Sequence, residues 1–144
     1  MLSGLNRINR QRAALTLLFT SKSNFMKEFM FVFRGSVQNE EVFANQSPEQ
    51  MQAEMAKWNT WMGTIAQQGK LIGGQPLSPQ GKVLKGTSKK LTDGPFIEGK
   101  DIVGGYLLIK ASDINDAVEI SKGCPSLNSP DGSVEVREIL PVPM

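Results

Sequence analysis

The amino-acid sequence predicts an α+β fold in which a mostly antiparallel sheet carries two helices on one face. Three observations lead to this prediction. Two segments have the caps and apolar spacing of helices, apolar extended segments precede and follow each of them, and the length of 144 residues fits one domain. The order is strand, helix, a strand or hairpin, strand, helix and strand, which is the ferredoxin-like arrangement.

The first strand is predicted at residues 27–34, KEFMFVFR. Successive side chains of a strand point to opposite faces. Both faces are apolar here, with Phe29, Phe31 and Phe33 on one side and Met30 and Val32 on the other. Strands of this kind are usually buried on both faces, so we expect this strand at the centre of its sheet.

The clearest helix is predicted between Ser47 and Gly69. Ser47 suits the N-cap, Pro48 the first helical position and Gln50 the capping box. Gly69 suits the position after the last turn. Apolar residues recur every three or four positions and form one stripe that we expect to pack on the sheet: Met51, Met55, Trp58, Met62 and Ile65.

Two short extended segments follow, KLIGG at 70–74 and GKVLKG at 81–86, and the proline-containing region between them predicts that they form a hairpin. The segment 102–110 predicts a longer strand that is apolar on both faces, with Tyr106 and Leu108 on one and Leu107 and Ile109 on the other. The glycine pairs at 73–74 and 104–105 indicate either strand bulges with close packing or a close approach of backbone to a ligand.

The second helix is predicted with Ser112 as its N-cap, Gly123 as its C-cap and Pro125 as its stop. Its first turn is acidic, and its packing side is apolar or small: Ile114, Ala117, Val118 and Ser121. In the last strand, valines alternate with charged residues: Val134 and Val136 against Glu135 and Arg137.

Two helices can cover only one face of such a sheet, although the strands at 27–34 and 102–110 are apolar on both. Because a large apolar sheet face is not left in water, something must cover the second face. The simplest cover is a second copy of the chain, which predicts a homodimer with the architecture of a dimeric α/β barrel. The segment 1–25 is the alternative cover.

The composition excludes several classes of function. There is no histidine, which removes histidine-based catalysis and the common zinc and iron sites, and the single Cys124 cannot form an intrachain disulfide. We therefore expect no metal and no cofactor, and a reducing cytoplasm as the location. From residue 26 onward the chain has 12 basic and 14 acidic residues, so we expect no nucleic-acid partner.

Residues 1–25 are arginine-rich and free of acidic residues, with a short apolar run at 13–19. That run is too short to span a membrane, which takes about 20 residues, and we expect no membrane association. We interpret residues 1–25 as an extension outside a domain at residues 26–144. A targeting segment or a docked helix are the alternatives.

The stretch LTDGPFIEGK at 91–100 combines turn residues with an apolar side chain. We expect Asp93, Gly94 and Pro95 to form a turn and Phe96 to pin a long loop to the core or to line a pocket. Arg34 and Arg137 can hold a carboxylate or phosphate, unless they pair with Glu135, Glu138 or Asp101. A predicted cleft contains Asp93 as the catalytic candidate, with further ligand-binding candidates at Arg34, Trp58, Gly94, Pro95, Phe96, Tyr106 and Arg137.

Several ordered motifs between residues 26 and 140 resemble the DGPF branch of the YCII-related family. They are DGPF at 93–96, the glycine pair before YLLIKASDINDAVE, GCPSL at 123–127, and GSVEVREI at 132–139. The resemblance implies a ferredoxin-like fold and a dimeric α/β barrel with a cleft in each subunit. It implies no settled activity, although some relatives are thought to use a His-Asp pair and some are associated with sigma-factor regulation.

The chain departs from this pattern because the histidine of such a pair has no counterpart, although Asp93 can match the aspartate. We therefore predict a small dimeric module that binds a small organic ligand or has a regulatory role. The alternative is a lyase or hydrolase that uses Asp93 as its base, which requires Asp93 to point into a concave pocket. A third hypothesis is an accessory protein that docks on a transcription factor.

Overall fold

A computed structural model describes residues 25–36, 44–94 and 102–143 of the chain. In chain order its elements are β1 (Lys27–Gly35), α1 (Pro48–Gln67), β2 (Leu71–Pro76), β3 (Gly81–Lys85), β4 (Lys90–Gly94), β5 (Ile102–Ala111), α2 (Ile114–Ser121), a 3-10 helix (Pro125–Asn128) and β6 (Ser133–Glu138). The predicted α+β class is confirmed. The prediction for residues 1–25 lies outside the described residues, except for the exposed Phe25.

The main sheet has four antiparallel strands in the order β2-β5-β1-β6. This order is compatible with the ferredoxin-like arrangement, in which two βα units share one sheet. β1 lies between β5 and β6, and Phe31 is the register partner of both Leu107 and Val136. The prediction that β1 is central is therefore confirmed.

The predicted hairpin between the segments 70–74 and 81–86 is wrong. β2 pairs with β5, whereas β3 pairs with β4 in a separate two-stranded ribbon. The ribbon turns at Gly86 and Lys89, which have φ values of 73° and 53°. This turn brings Lys85 opposite Lys90. The local turn therefore pairs β3 with β4 instead of β2.

Close packing and bulges explain the glycine pairs. The register of β2 shifts between Leu71 and Gly73, and the register of β1 against β5 shifts at Gly104. A Cβ on Gly74 would lie 2.4 Å from the carbonyl oxygen of Tyr106, and one on Gly105 would lie 2.9 Å from that of Gln75. These glycines therefore allow β2 and β5 to pair, as one of the two interpretations predicted.

The hydrophobic core lies between the helices and one face of the sheet. It contains Phe29, Phe31, Trp61, Ile65, Leu107, Ile109, Ala111, Ala117 and Cys124. The predicted stripe of α1 needs one correction, because Trp61 is buried and Met55 is 54% exposed. The side of α1 that packs on the core contains Trp58, Trp61 and Ile65. Met55 lies away from this side.

The caps of α1 follow the prediction. The hydroxyl of Ser47 accepts a hydrogen bond from the Gln50 amide at 3.2 Å, and the Gln50 side chain accepts one from the Ser47 amide at 3.1 Å. Gly69 follows the last turn with a φ of 70°. This reciprocal capping box fixes the start of α1.

The caps of α2 differ from the prediction by one residue at each end. Asp113, rather than Ser112, is the N-cap and accepts a hydrogen bond from the Asp116 amide at 2.8 Å. Lys122, rather than Gly123, is the C-cap. A Cβ on Gly123 would lie 2.9 Å from Cδ1 of Trp61, so this glycine serves helix packing.

The packing side of α2 was only half predicted. Ala117 and Ser121 are buried, whereas Ile114 is 45% and Val118 is 38% exposed. Ile120 packs against the core in their place. Among the residues that the structure describes, no helix combines the length and the apolar character needed to cross a membrane.

Candidate functional site

The second face of the four-stranded sheet, which we call the open face, is the candidate functional surface. Directly paired residues of antiparallel strands share a face, and the register pairs Met30 with Leu108 and Val32 with Tyr106. These four side chains are half-buried, and the core with α1 and α2 lies on the other side of the sheet. The prediction that both faces of β1 and β5 are apolar is confirmed.

An ion pair borders the apolar centre of the open face. Nη2 and Nε of Arg34 donate to the same carboxylate oxygen of Glu135, at 3.2 and 3.4 Å. The predicted pairing of Arg34 with Glu135 is thus the interaction observed. Since the two side chains are 35% and 42% exposed, the pair contributes only about 0–1 kcal/mol, and an incoming anion can compete for Arg34.

Arg137 and Tyr106 lie on the same face as Arg34. Arg137 is exposed and is the register partner of Met30, whereas Tyr106 lies between Val32 and Gln75. Within the described part of the chain, Arg137 has no ion pair. The structure therefore brings together two arginines and a tyrosine around an apolar centre, which is chemistry suited to an organic anion.

Trp58 lies on the opposite side of the sheet from these residues. Its ring packs edge-to-face on Phe33 with the centroids 4.9 Å apart, and on Trp61 at 5.8 Å. Phe33 belongs to the helix-covered side of β1. Trp58 and Tyr106 therefore do not share a cleft in one copy of the chain, and Trp58 belongs to the packing of α1.

Asp93 and Gly94 end β4 instead of forming the predicted turn. Asp93 forms an ion pair with Lys82, which is its register partner in β3, and its side chain is 86% exposed. Gly94 pairs with Gly81, and a Cβ on Gly94 would lie 2.5 Å from Cγ2 of Val83, so the side chain of Val83 packs over this glycine. Pro95 and Phe96 lie outside the described residues.

The exposure of Asp93 bears on the proposed base. A general base works best where water access is restricted and a second polar group holds the substrate. The carboxylate of Asp93 instead faces solvent beside an ammonium group of the same ribbon. The described residues do not enclose it in a pocket.

Cys124 is buried, with 2% of its surface exposed. Burial raises the pKa of its thiol, and hydrogen bonding with Ser126 only partly offsets this effect. Because the thiolate is the nucleophilic form, Cys124 serves here as a packing residue of the core.

A groove that the sequence analysis missed lies between α1 and the 3-10 helix. Its volume is about 460 Å³, and its lining includes Lys57, Thr60, Trp61, Gly123 and Pro125. None of the predicted site residues contributes to it. The only sequence signal for it is the Gly-Cys-Pro segment that ends α2, where the Trp61 indole packs directly on Gly123.

The fold and the open face define a small α+β protein with a ferredoxin-like sheet. A comparison with protein-family models matches residues 30–143 to the YCII-related domain. The chain therefore belongs to the YCII-related family. A comparison with curated proteins finds no match.

Proposed function

We propose that this YCII-related chain belongs to the DGPF branch and works as a homodimeric binding module for a small organic anion. In this proposal two open faces pack together to form an α/β barrel. Arg34, Tyr106 and Arg137 border the ligand. The observation that carries the proposal is the open face itself, whose apolar centre is bordered by the Arg34–Glu135 ion pair and by Arg137.

The apolar centre supports self-association. Met30, Val32, Tyr106 and Leu108 are half-buried within one copy, so further burial would remove more apolar surface from water. An isologous two-fold contact uses the same patch twice. In such a dimer the open face of each copy would cover the open face of the other, and no additional element would be needed.

The margins support a ligand with a negative charge. Arg34 is engaged by an exposed carboxylate that a ligand carboxylate can displace, and Arg137 extends from a neighbouring strand on the same face. Tyr106 offers a ring and a hydroxyl group between them and the sheet edge. An aromatic or aliphatic carboxylate matches both the cations and the apolar centre.

Catalysis by Asp93 is not part of this proposal. The chain contains no histidine, and Asp93 is exposed and paired with Lys82. We expect Asp93→Asn to leave ligand binding unchanged. Loss of turnover in this variant, on a substrate that the wild type converts, would instead support the enzyme.

Sedimentation velocity tests the dimer. We expect the wild type to sediment at twice the 15.8 kDa of one chain, and Val32→Asp to sediment as a folded monomer because it places a charge in the centre of the contact. Val142→Asp is the matched control, since Val142 is 75% exposed near the C-terminal end of the chain. A wild type that stays monomeric at micromolar concentration would refute the proposal.

Thermal shift with benzoate tests the ligand class, and uncharged benzamide of the same shape is the control. We expect benzoate to raise the melting temperature of the wild type and benzamide to have little effect. Arg137→Ala should lose the benzoate effect, whereas Lys122→Ala at the exposed C-cap of α2 should keep it. Equal effects of the two compounds, or of benzoate on the two variants, would contradict an anion site at Arg137.

A further inference from the structure

Gly73 is a glycine of β2 that lies on the open face. Its register partner is Leu108, whose side chain lies on that face, and the next residue of β2 on the same side is Gln75. A glycine within a strand has no side chain to pack and loses more chain entropy on folding than any other residue. The glycine at this position therefore calls for an explanation.

Neither packing nor backbone strain explains Gly73. A Cβ on the adjacent Gly74 would lie 2.4 Å from a backbone oxygen, whereas a Cβ on Gly73 would meet nothing within 4 Å in the described part of the chain. The φ of Gly73 is not positive, so the bulge beside it sets the register of β2 without requiring a glycine. What the missing side chain provides is space.

This space is bordered by polar groups. Tyr106 is the register partner of Gln75 and therefore lies diagonally across from Gly73. Tyr106 is half-buried and Gln75 is exposed. Within the ranges 25–36, 44–94 and 102–143, neither of these two side chains has a hydrogen-bond partner. We call the space over Gly73, with Leu108, Tyr106 and Gln75 at its border, the β2 notch.

The β2 notch and Arg137 lie at the two ends of one row across the sheet. Gly73 pairs with Leu108, and Leu108 pairs with Met30. Met30 pairs in turn with Arg137. Neighbouring strands are ~4.8 Å apart, so about 14 Å separates the two ends of the row. The long arginine side chain covers about half of this distance, which leaves the length of a substituted benzene ring.

The position of β2 keeps the notch accessible. β2 is an outer strand of the sheet, whereas Met30 and Val32 lie on the central strand β1. Two copies that pack through Met30 and Val32 close the middle of the open face, and the notch then lies toward the margin of their contact. Sheets packed face to face are ~10 Å apart, so a position without a side chain leaves room for a flat ring.

We propose that the β2 notch receives the far end of the ligand, so that Gly73 selects aromatic carboxylates that carry a polar group opposite the carboxylate. This inference rests on the proposed function and narrows its ligand class. The carboxylate pairs with Arg137, the ring lies on the apolar centre, and the polar group exchanges hydrogen bonds with Tyr106 and Gln75. 4-Hydroxybenzoate has this length and this chemistry.

Isothermal titration calorimetry with 4-hydroxybenzoate, 3-hydroxybenzoate and benzoate tests the notch. We expect the wild type to bind 4-hydroxybenzoate about three- to tenfold more tightly than the other two compounds, which is the effect of one additional hydrogen bond. 3-Hydroxybenzoate has the same groups and charge but directs its hydroxyl group away from the row. Equal affinities for the two isomers would overturn the inference.

Gly73→Val fills the notch with a side chain that suits a strand. It should lower the affinity for 4-hydroxybenzoate at least about tenfold and the affinity for benzoate much less, without lowering the melting temperature. Gly63→Val is the matched control. A Cβ on Gly63 would also meet nothing within 4 Å, but Gly63 belongs to α1 on the other side of the sheet. This control should keep the preference for 4-hydroxybenzoate.

Tyr106→Phe tests the hydroxyl group separately from the space. The variant keeps the aromatic surface and loses one of the two proposed hydrogen-bond partners, so it should lose most of the preference for 4-hydroxybenzoate over benzoate. A preference that is unchanged in Tyr106→Phe would contradict the proposed contact.

Sedimentation velocity of Gly73→Val distinguishes a ligand from a partner side chain as the occupant of the notch. We expect this variant to remain dimeric. A monomeric Gly73→Val beside a dimeric wild type would show that the second copy fills the space, and would overturn the inference. If the wild type binds none of the three compounds, the proposed function fails as well. If benzoate binds through Arg137 but Gly73→Val keeps the wild-type preference, only the notch is refuted.

Discussion

The two faces of the four-stranded sheet differ in how completely one chain buries them. Phe31 and Ile109 on the covered face are fully buried, whereas the adjacent Val32 and Leu108 on the open face are only half-buried. All four lie in the two central strands. The apolar residues of β1 and β5 alternate so that both faces of the sheet are apolar. The helices of one chain bury only one of these faces.

Aromatic packing makes the covered face complete. The ring of Phe31 stacks on Trp61 with their centroids 6.0 Å apart, and Phe33 contacts both tryptophans of α1 edge-to-face. The indole nitrogen of Trp61 donates a hydrogen bond to the carbonyl oxygen of Ile120 at 3.0 Å. The helix α1 is thereby joined to both the sheet and α2.

Neighbouring substitutions on β1 give the largest expected contrast between the faces. Phe31→Ala should lower the free energy of unfolding by about 3–5 kcal/mol because it leaves a cavity under Trp61. Val32→Ala, one residue along, should lower it by about 1 kcal/mol or less once measured on the monomer. Urea denaturation checks both variants, and equal losses would contradict the difference between the faces.

The polar contact within the covered face can be tested by Trp61→Phe. This variant keeps a ring but loses the hydrogen bond to the Ile120 carbonyl, and we expect a loss of about 1–3 kcal/mol. Trp58→Phe is the matched control, because the ring of Trp58 is only half-buried and its contacts are with other rings. Thermal unfolding measures both variants. A larger loss of stability in Trp58→Phe than in Trp61→Phe would show that the hydrogen bond to Ile120 contributes little to stability.

The cap of the covering helix should have a smaller effect. Ser47→Ala removes the oxygen that accepts from the Gln50 amide, and we expect a loss of about 1 kcal/mol. Gln52→Ala, at an exposed position in the next turn, should change the stability little. Circular dichroism during urea unfolding measures both. An unchanged midpoint for Ser47→Ala would show that tertiary packing alone holds the start of α1.

The smallest expected effect depends on pH and concerns the attachment of α2. The hydrogen bond from the Ser112 amide lowers the pKa of Asp116 from its ordinary value of 3.8, and the charge of Lys70 adds to this despite some burial. A lowered folded-state pKa stabilises the protein above the unfolded-state pKa, and this contribution disappears as the pH falls through the folded-state pKa.

Asp116→Asn should therefore be less stable than the wild type at neutral pH, and the difference should shrink as the pH falls below 3.8. Thermal unfolding across this range measures the difference. Asp131→Asn is the control, because Asp131 is exposed in the loop before β6. A difference between wild type and Asp116→Asn that does not depend on pH would contradict the role of the carboxylate charge.

Features with a local cause were predictable from the sequence. Ser47, Pro48 and Gln50 define the start of α1 through their own backbone bonds, and the alternation in β1 and β5 identified both as strands apolar on two faces. The N-cap of α2 was a local feature that was predicted wrongly: Asp113 caps the helix instead of Ser112, because both adjacent residues are suitable caps. The candidate site was predicted only in part, as Arg34, Tyr106 and Arg137 share a face but Trp58 lies on the other.

The amino-acid sequence by itself determined the class of fold, the order of its main elements and the apolar character of both sheet faces, because capping and side-chain alternation act between residues close in the chain. Only the tertiary structure decided that β3 pairs with β4, that Trp61 rather than Met55 faces the core, and that Asp93 extends a strand. Those outcomes depend on which distant backbone or side chain comes into contact, for example Val83 over Gly94 or Phe31 under Trp61. Such contacts leave no periodic pattern in the sequence.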